Sequence, residues 1–454
     1  MKRTATKHLT EWAKSPTRKP LLLRGARQVG KTHLVGQFAA ENFEDLIELN
    51  FEKDPNLVEL FADLSPKQII SLLEMRFAKE IRPGKSLLFF DEIQAAPRAI
   101  QALRYFKEEA PSQHVVAAGS LLDFVFGQEG IPVPVGRVEY LHLKPMNFTE
   151  FLDGVGQTQL ADYIKEFQLG NRNSAAMHRH MLMWLRRYIM VGGMPEVVKT
   201  YRDTESFGRV DQMKEALLAT FRDDFGKYRG RMDDDLMRSV FNKIPGLVGE
   251  KLKYVKVARD VKATRIADVL ERLCRAGVMS KVVHSSANGI PLGAESNPKI
   301  FKPLFLDVGL MLRASGLNMT DLNGEEELMM VNRGAVAEQI VGQEMLAAGP
   351  IWEEHQLFYW MREKKTASAE VDYLTSTGTT VIPVEVKAGS TGRLKSLHVF
   401  LHEKDCRLGV RLGTGPAQLT DIDLKLPTSQ HVSGQLLSLP LYLAGEIERL
   451  VGTV

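Results

Sequence analysis

The chain has 454 residues, too many for one ordinary core, so two to four domains of about 100–200 residues each are expected. A hydrophobic content of 44% is ample for buried cores, and 25% charged residues is ordinary for a soluble globular protein. The 59 Lys and Arg against 56 Asp and Glu leave a net charge of +3, so no polyanionic partner is demanded and any nucleic-acid contact must rest on local clusters.

In chain order, the amino terminus (MKRTATKHLTEWAKSP) is basic but lacks an apolar core, and is not read as a signal peptide. Residues 15–150 alternate short apolar runs (Leu21–Leu23, Leu46–Asn50, Ser86–Phe90, His114–Ala118) with helical stretches, the pattern of βαβ units and a parallel sheet. Residues 150–235 carry helical periodicity, notably Met181–Val191 and Met213–Phe225. Residues 236–312 hold compact helices and two strand-like runs, Met279–Val283 and Ile300–Leu306. The acidic stretch Asn318–Glu327 reads as a linker. A helix (Val331–Ala347) and strands (Leu357–Met361, Glu370–Leu374, Thr380–Val386) follow it. No run approaches the roughly 18 apolar residues of a spanning helix, so no membrane partner is expected. Cys274 and Cys406 supply neither a disulfide framework nor zinc spacing, which fits a reducing cytoplasm.

Gly25-Ala26-Arg27-Gln28-Val29-Gly30-Lys31-Thr32, followed by His33, matches G-x-x-x-x-G-K-[ST] directly after an apolar strand. Glycines let such a loop wrap so that backbone N–H groups and a helix N-terminus meet phosphate oxygens. Lys31 is placed to reach the β- and γ-phosphates of ATP, and Thr32 to ligate Mg²⁺. Downstream, Leu87–Phe90 reads as a buried strand that delivers Asp91 and Glu92 at its carboxyl end. Asp91 is expected to hold Mg²⁺ through its water shell and Glu92 to act as general base. Ser120 follows a third strand. It reads either as a contact to the γ-phosphate or lytic water, or as a plain turn serine. Arg137, in a Gly/Pro-rich loop, is either a cation acting in trans on a neighbouring subunit's nucleotide or a surface arginine.

The GARQVGKT loop, the FFDEIQ and AAGSLL strands and the later element Gly192-Gly-Met-Pro-Glu196 together resemble one family. It comprises the prokaryotic AAA-superfamily ATPases whose carboxyl-terminal domain is of unknown function. The resemblance covers essentially the whole chain. It implies an α/β multidomain protein: an AAA-type ATPase core (1–150), a helical lid (151–235), a winged-helix element (236–317) and a nuclease-like end (318–454). Assembly into homo-oligomers is common in the wider superfamily. Gly192–Glu196 carries over as a family hallmark without a chemical role.

Residues 251–281 hold nine Lys or Arg (Lys251, Lys253, Lys256, Arg259, Lys262, Arg265, Arg272, Arg275, Lys281) against Asp260, Asp268 and Glu271. Within them, Thr264–Arg275 places Ile266, Val269, Leu270 and Leu273 on one helical face, and Gly277 ends the helix before the strand-like runs. Helices followed by a small hairpin suggest a winged helix with salt-dependent phosphate contacts to DNA, duplex or branched. The alternative is a solvated basic face used for packing.

At the end of the chain, Glu338 lies on the expected helix, Asp372 in Glu370–Leu374, and Glu385 and Lys387 in Ile382–Lys387. The order helix-Glu, strand-Asp, Glu-x-Lys resembles the PD-(D/E)XK restriction-endonuclease-like superfamily, although Val371 stands where its proline would be. Period-2 alternation puts Glu385 and Lys387 on one face. Asp372 and Glu385 are expected to share a Mg²⁺, with Lys387 lowering the cost of forming hydroxide and Glu338 binding the metal or its water. A cross-strand ion pair is the alternative for Glu-x-Lys. The functional expectation is an ATP-hydrolysing, DNA-associated protein with a nuclease-like end. Its rivals are a switch whose end domain only binds DNA or protein, and a P-loop kinase, against which the Asp91-Glu92 pair argues.

Overall fold

The computed structural model describes residues 1–120, 122–126, 134–170, 174–227, 234–318, 333–362, 369–389, 394–426 and 431–454. They form two compact units. The first comprises Met1–Lys144 with Arg275–Gly277 and Pro350–Glu354, and the second holds the rest. Among the described residues no helix is long and apolar enough to cross a membrane.

The first unit is α/β. Strands β1 (Leu21–Arg24), β2 (Asp45–Asn50), β3 (Ser86–Asp91), β4 (His114–Ala118) and β5 (Glu139–His142) make one parallel sheet in the order β2-β3-β4-β1-β5. β3 is buried along its whole length, as continuous apolar runs in a doubly covered parallel sheet should be. Phe90, Leu88 and Leu22 pack with Ile100, Leu103 and Phe106 of the Pro97–Glu109 helix in one apolar core. β5 escaped sequence reading because it has four residues, two of them polar (Glu-Tyr-Leu-His). It pairs along the whole of β1, from Leu21 to Arg24. β1 is thus flanked by β4 and β5, and its loop leaves from the interior of the sheet's carboxyl edge.

The second unit begins with helices, among them Phe148–Gly154, opened by an Asn147/Glu150 capping box, and Ala175–Val191, which buries Trp184, Leu185, Tyr188 and Ile189. An eight-stranded mixed sheet follows. Its members are β6 (Met279–Ser285), β7 (Ser296–Phe305), β8 (Leu357–Met361), β9 (Glu370–Thr377), β10 (Thr380–Val386), β11 (Leu408–Gly413), β12 (Gln418–Lys425) and β13 (His431–Pro440). Their order is β12-β13-β11-β10-β9-β8-β6-β7. The β6–β7 hairpin, expected as a free wing, is joined to the later strands because β6 runs parallel to β8, with Val282 opposite Leu357. The physical reason is that Val282–Ser285 is buried, and a strand of that kind needs partners on both edges. The boundary read at 317–318 therefore falls between segments of one sheet. Most of the expected acidic linker lies outside the described residues. The helix expected at Val331–Ala347 runs Arg333–Ala348.

Gly192–Glu196 acquires a structural role here. Gly192 has φ 85°, and the Gly193 N–H donates to Asp307 Oδ2 at 2.6 Å while its carbonyl accepts from the Met146 N–H at 2.7 Å. Asp307 also caps the Val308–Ala314 helix by accepting from the Leu310 N–H. Tyr188 donates to the Met146 carbonyl and to Glu344, and Gln343 donates to Tyr188 and Asp307. Burial holds the Asp307 carboxyl above its ordinary pKa, against the donors that stabilise its charge. The element is a backbone joint between four segments, and Pro195 then starts the next helix.

Candidate functional site

The phosphate-loop geometry follows from its glycines. Gly25 has φ 144°, and a Cβ there would lie 2.2 Å from the Leu143 carbonyl oxygen, so only glycine fits between β1 and the chain after β5. Gly30, at φ 93°, turns the chain into the Lys31–Asn42 helix. Gln28 is left-handed and exposed, Ala26 and Val29 are buried, and His33 faces solvent. The Arg3 guanidinium donates to the carbonyls of Val29 and Lys144, a support that no local pattern announces. Lys31 is 7% exposed and donates to the carbonyls of Gly25 (3.0 Å) and Ala26 (2.9 Å). Burial lowers its pKa to about 8, against the raising influence of Glu92 and Asp91.

Parallel register brings β3 to the same edge. Thr32 Oγ1 donates to Asp91 Oδ2 at 3.0 Å, and Asn50 Nδ2 donates to the same oxygen at 3.2 Å. Burial and then the Glu92 charge raise the Asp91 pKa. Glu92 is left-handed (φ 51°), an uncommon state for a residue with a side chain, and its carboxylate accepts from Gln94 Nε2. Ser120, at the end of β4, accepts from Arg27 Nε at 3.3 Å, and the same guanidinium pairs with Glu52. The structure therefore gathers Lys31, Thr32, Asp91, Glu92, Arg27 and Ser120 at one sheet edge. Arg137 instead pairs with Glu108 at 2.8 Å, on the Pro97–Glu109 helix. Asn50 and Gln94 were missed by sequence reading. The signal for Gln94 was its place two residues beyond Glu92, inside the quoted FFDEIQ run.

In the second unit a different cluster forms. Lys302 of β7 is 2% exposed, and its Nζ lies 2.6 Å from Glu370, 3.1 Å from Glu338 and 3.4 Å from Asp372. Asp372 Oδ2 accepts from the Val386 N–H at 2.8 Å, and Lys387 pairs with Glu385 Oε1. Glu385 Oε2 is buried with no hydrogen-bond partner. Burial raises Glu338 to about 8 despite Lys302, and burial together with the Asp372 charge raises Glu385 to about 7. For Lys302 burial acts downward, but the three carboxylates outweigh it and move the pKa up. Among the described residues no three His, Cys, Asp or Glu side chains are arranged to hold a metal ion. Lys302 and Glu370 were missed by sequence reading. A lone lysine inside the apolar run Ile300–Phe305 was the available signal.

The basic segment divides as well. Lys253, Lys256, Arg259, Lys262 and Arg265 are exposed, while Ile266, Val269, Leu270 and Leu273 of the Ala263–Arg275 helix are buried. Lys281 turns inward to Glu271 at 2.8 Å and over the Phe301 ring.

A P-loop ATPase domain of the AAA class is what this loop, sheet order and carboxylate pair define, and residues 17–152 match the family described as "AAA domain". Residues 183–321 and 333–429 match two domains of unknown function, DUF8612 and DUF4143. Among curated proteins, the chain is 26% identical over 242 residues to the uncharacterized protein MJ1544 of Methanocaldococcus jannaschii, covering 53% of this chain and 49% of that protein. The chain thus spans about half the length of that relative. Solved structures with partial likeness include the Aeropyrum pernix ORC2 protein in ADPNP-ADP complexes (12% identity, 71% of this chain and 95% of that one, TM-score 0.33). Another is the Thermotoga maritima RuvB Holliday junction branch migration motor (17% identity, 62% and 90%, TM-score 0.31).

Proposed function

We propose that the chain is an ATP-hydrolysing, DNA-associated switch that works as a homo-oligomer in the cytoplasm. The observation that carries this reading is the Thr32–Asp91 hydrogen bond, which joins the phosphate loop to the carboxylate pair ending β3. The backbone N–H groups of Gly25–Thr32 would hold the phosphates of ATP, and Lys31 would exchange its carbonyl partners for the β- and γ-phosphates. With a pKa near 8 the lysine is still largely protonated at neutral pH. The hydroxyl of Thr32 and the carboxylate of Asp91 are hard oxygen donors and suit Mg²⁺, which when bound neutralises phosphate charge. Glu92 takes the proton of the attacking water, and Gln94 holds its carboxylate in place. Ser120 and Arg27, joined to each other, would face the γ-phosphate of a bound nucleotide, and Arg137 would serve a neighbouring subunit's nucleotide if it left Glu108. ATPase rates measured with single-stranded, duplex, hairpin and branched DNA test the whole reading. A rate indifferent to all four removes DNA, and no hydrolysis at all removes the switch.

The exposure of Lys253, Arg259, Lys262 and Arg265, in and just before the Ala263–Arg275 helix, supports DNA contact through a winged-helix-type reader made of that helix and the β6–β7 hairpin. Charge reversal in Lys262→Glu/Arg265→Glu is expected to weaken binding across DNA sequences and to reduce the salt slope by about 2, near 0.9 per lost phosphate contact. Fluorescence anisotropy across a salt series checks it, and an unchanged slope returns this face to a packing role.

For the end of the chain the reading is a PD-(D/E)XK-like constellation of Glu338, Asp372, Glu385 and Lys387. If it cleaves, Asp372 and Glu385 hold Mg²⁺ and Lys387 assists deprotonation of the attacking water. The orphaned Glu385 Oε2 favours that version. The Lys302 ammonium favours the second version, in which the same fold binds DNA or protein without cutting.

A further inference from the structure

We propose that Lys302 is the resident cation of the acidic pocket in the second unit, and that the pocket consequently takes no divalent metal and its domain binds without cutting. The proposal rests on the nuclease-like reading of Glu338, Asp372, Glu385 and Lys387 and decides between its two versions.

An ammonium has three N–H donors and no acceptor. Lys302 Nζ lies within 3.4 Å of three carboxylates, those of Glu370, Glu338 and Asp372, one for each donor. The side chain is buried, so these carboxylates rather than water satisfy it, and its ammonium also lies over the Tyr359 ring, 5.3 Å from Nζ to the centroid. The oxygens a metal would need are committed. Asp372 Oδ1 faces Lys302, its Oδ2 takes the Val386 N–H, and Glu385 Oε1 takes Lys387. Oε2 of Glu385 remains, but Mg²⁺ usually keeps several waters beside its one or two carboxylates, and this oxygen is buried. A divalent ion set among these carboxylates would also sit beside a buried ammonium, and two cations held that close with little water to screen them repel.

The lysine comes from β7, at one edge of the sheet, whereas Asp372 lies on β9 and Glu338 on the Arg333–Ala348 helix. Its ion pairs therefore tie the hairpin proposed to read DNA to the strands of the acidic pocket. That is a mechanical function a metal held by Asp372, Glu385 and Glu338 would not supply, because none of them lies on β7.

The test uses the full chain in an Asp91→Asn background, so that a metal effect cannot arise at the ATP site. Thermal melting in EDTA and in millimolar Mn²⁺ is compared with Lys302 present, with Lys302→Met added, and with Asp372→Asn added to that. With Lys302 in place the melting temperature is expected to be the same in both buffers, and Mg²⁺ or Mn²⁺ to elicit no DNA cleavage by the wild-type chain. Lys302→Met should melt lower in EDTA and regain several degrees in Mn²⁺, as the ion takes the ammonium's place, and Asp372→Asn should erase that gain. Stabilisation by Mn²⁺ with Lys302 in place, removed by Asp372→Asn, overturns the proposal and leaves the nuclease-like reading standing. A folded Lys302→Met chain indifferent to Mn²⁺ overturns the nuclease-like reading itself, and the proposal with it. If Lys302→Met does not fold, the comparison with Lys302 intact still decides, because a metal response there is incompatible with a resident lysine.

Discussion

Glu92→Gln is expected to bind ATP as tightly as the wild type and to turn it over about 10²–10⁴-fold more slowly. The amide keeps the size and shape of the side chain, and its oxygen can still accept from Gln94, so the left-handed backbone at residue 92 has no reason to move. What is lost is the lone pair that accepts a proton from water, which an amide does not supply at neutral pH. Lys31→Ala should show the opposite split. The cation that now lies on the carbonyls of Gly25 and Ala26 is the one that meets the β- and γ-phosphates, so nucleotide affinity should fall first. Titration with a fluorescent ATP analogue, run beside a phosphate-release assay, separates the two effects. Hydrolysis at the wild-type rate in Glu92→Gln would take the role of base away from this residue.

The second large effect is expected on stability. Gly193→Ala would place a methyl group 2.0 Å from the Met146 carbonyl oxygen and 3.0 Å from its nitrogen. Both are backbone atoms and cannot rotate aside. The peptide is also pinned from two directions, by the 2.6 Å hydrogen bond to Asp307 and the 2.7 Å bond from Met146. Relief of the clash must therefore break one of these bonds, and the loss should exceed about 3 kcal/mol. Gly36→Ala is the matched control. It lies inside the Lys31–Asn42 helix with nothing within 4 Å of the new Cβ, and should stabilise by about 0.5–1 kcal/mol because alanine loses less backbone entropy. Urea unfolding of the three proteins measures both shifts. A Gly193→Ala chain as stable as wild type would remove the joint from its structural role.

Much of the ATP site was legible because its parts are local. Gly25 to Thr32 is one continuous turn, and the glycines, the lysine and the preceding apolar strand state its geometry within a dozen residues. Asp91 and Glu92 were legible for a similar reason, since four apolar residues make a buried strand and the next two must emerge at its end. Period-2 alternation likewise put Glu385 and Lys387 on one face, and they do form an ion pair. Other features depended on which strands become neighbours. Lys302 meets Asp372 only because the sheet runs β9-β8-β6-β7, a consequence of the parallel pairing between β6 and β8 that no hairpin rule predicts. Gly193 is restricted by Met146 and Asp307, far from it in the chain, so its motif could be recognised but not explained. Local geometry follows from covalent spacing, which the sequence by itself determined. The charge state of a pocket and the space around a glycine follow from what folding carries in from elsewhere, and only the tertiary structure decided those.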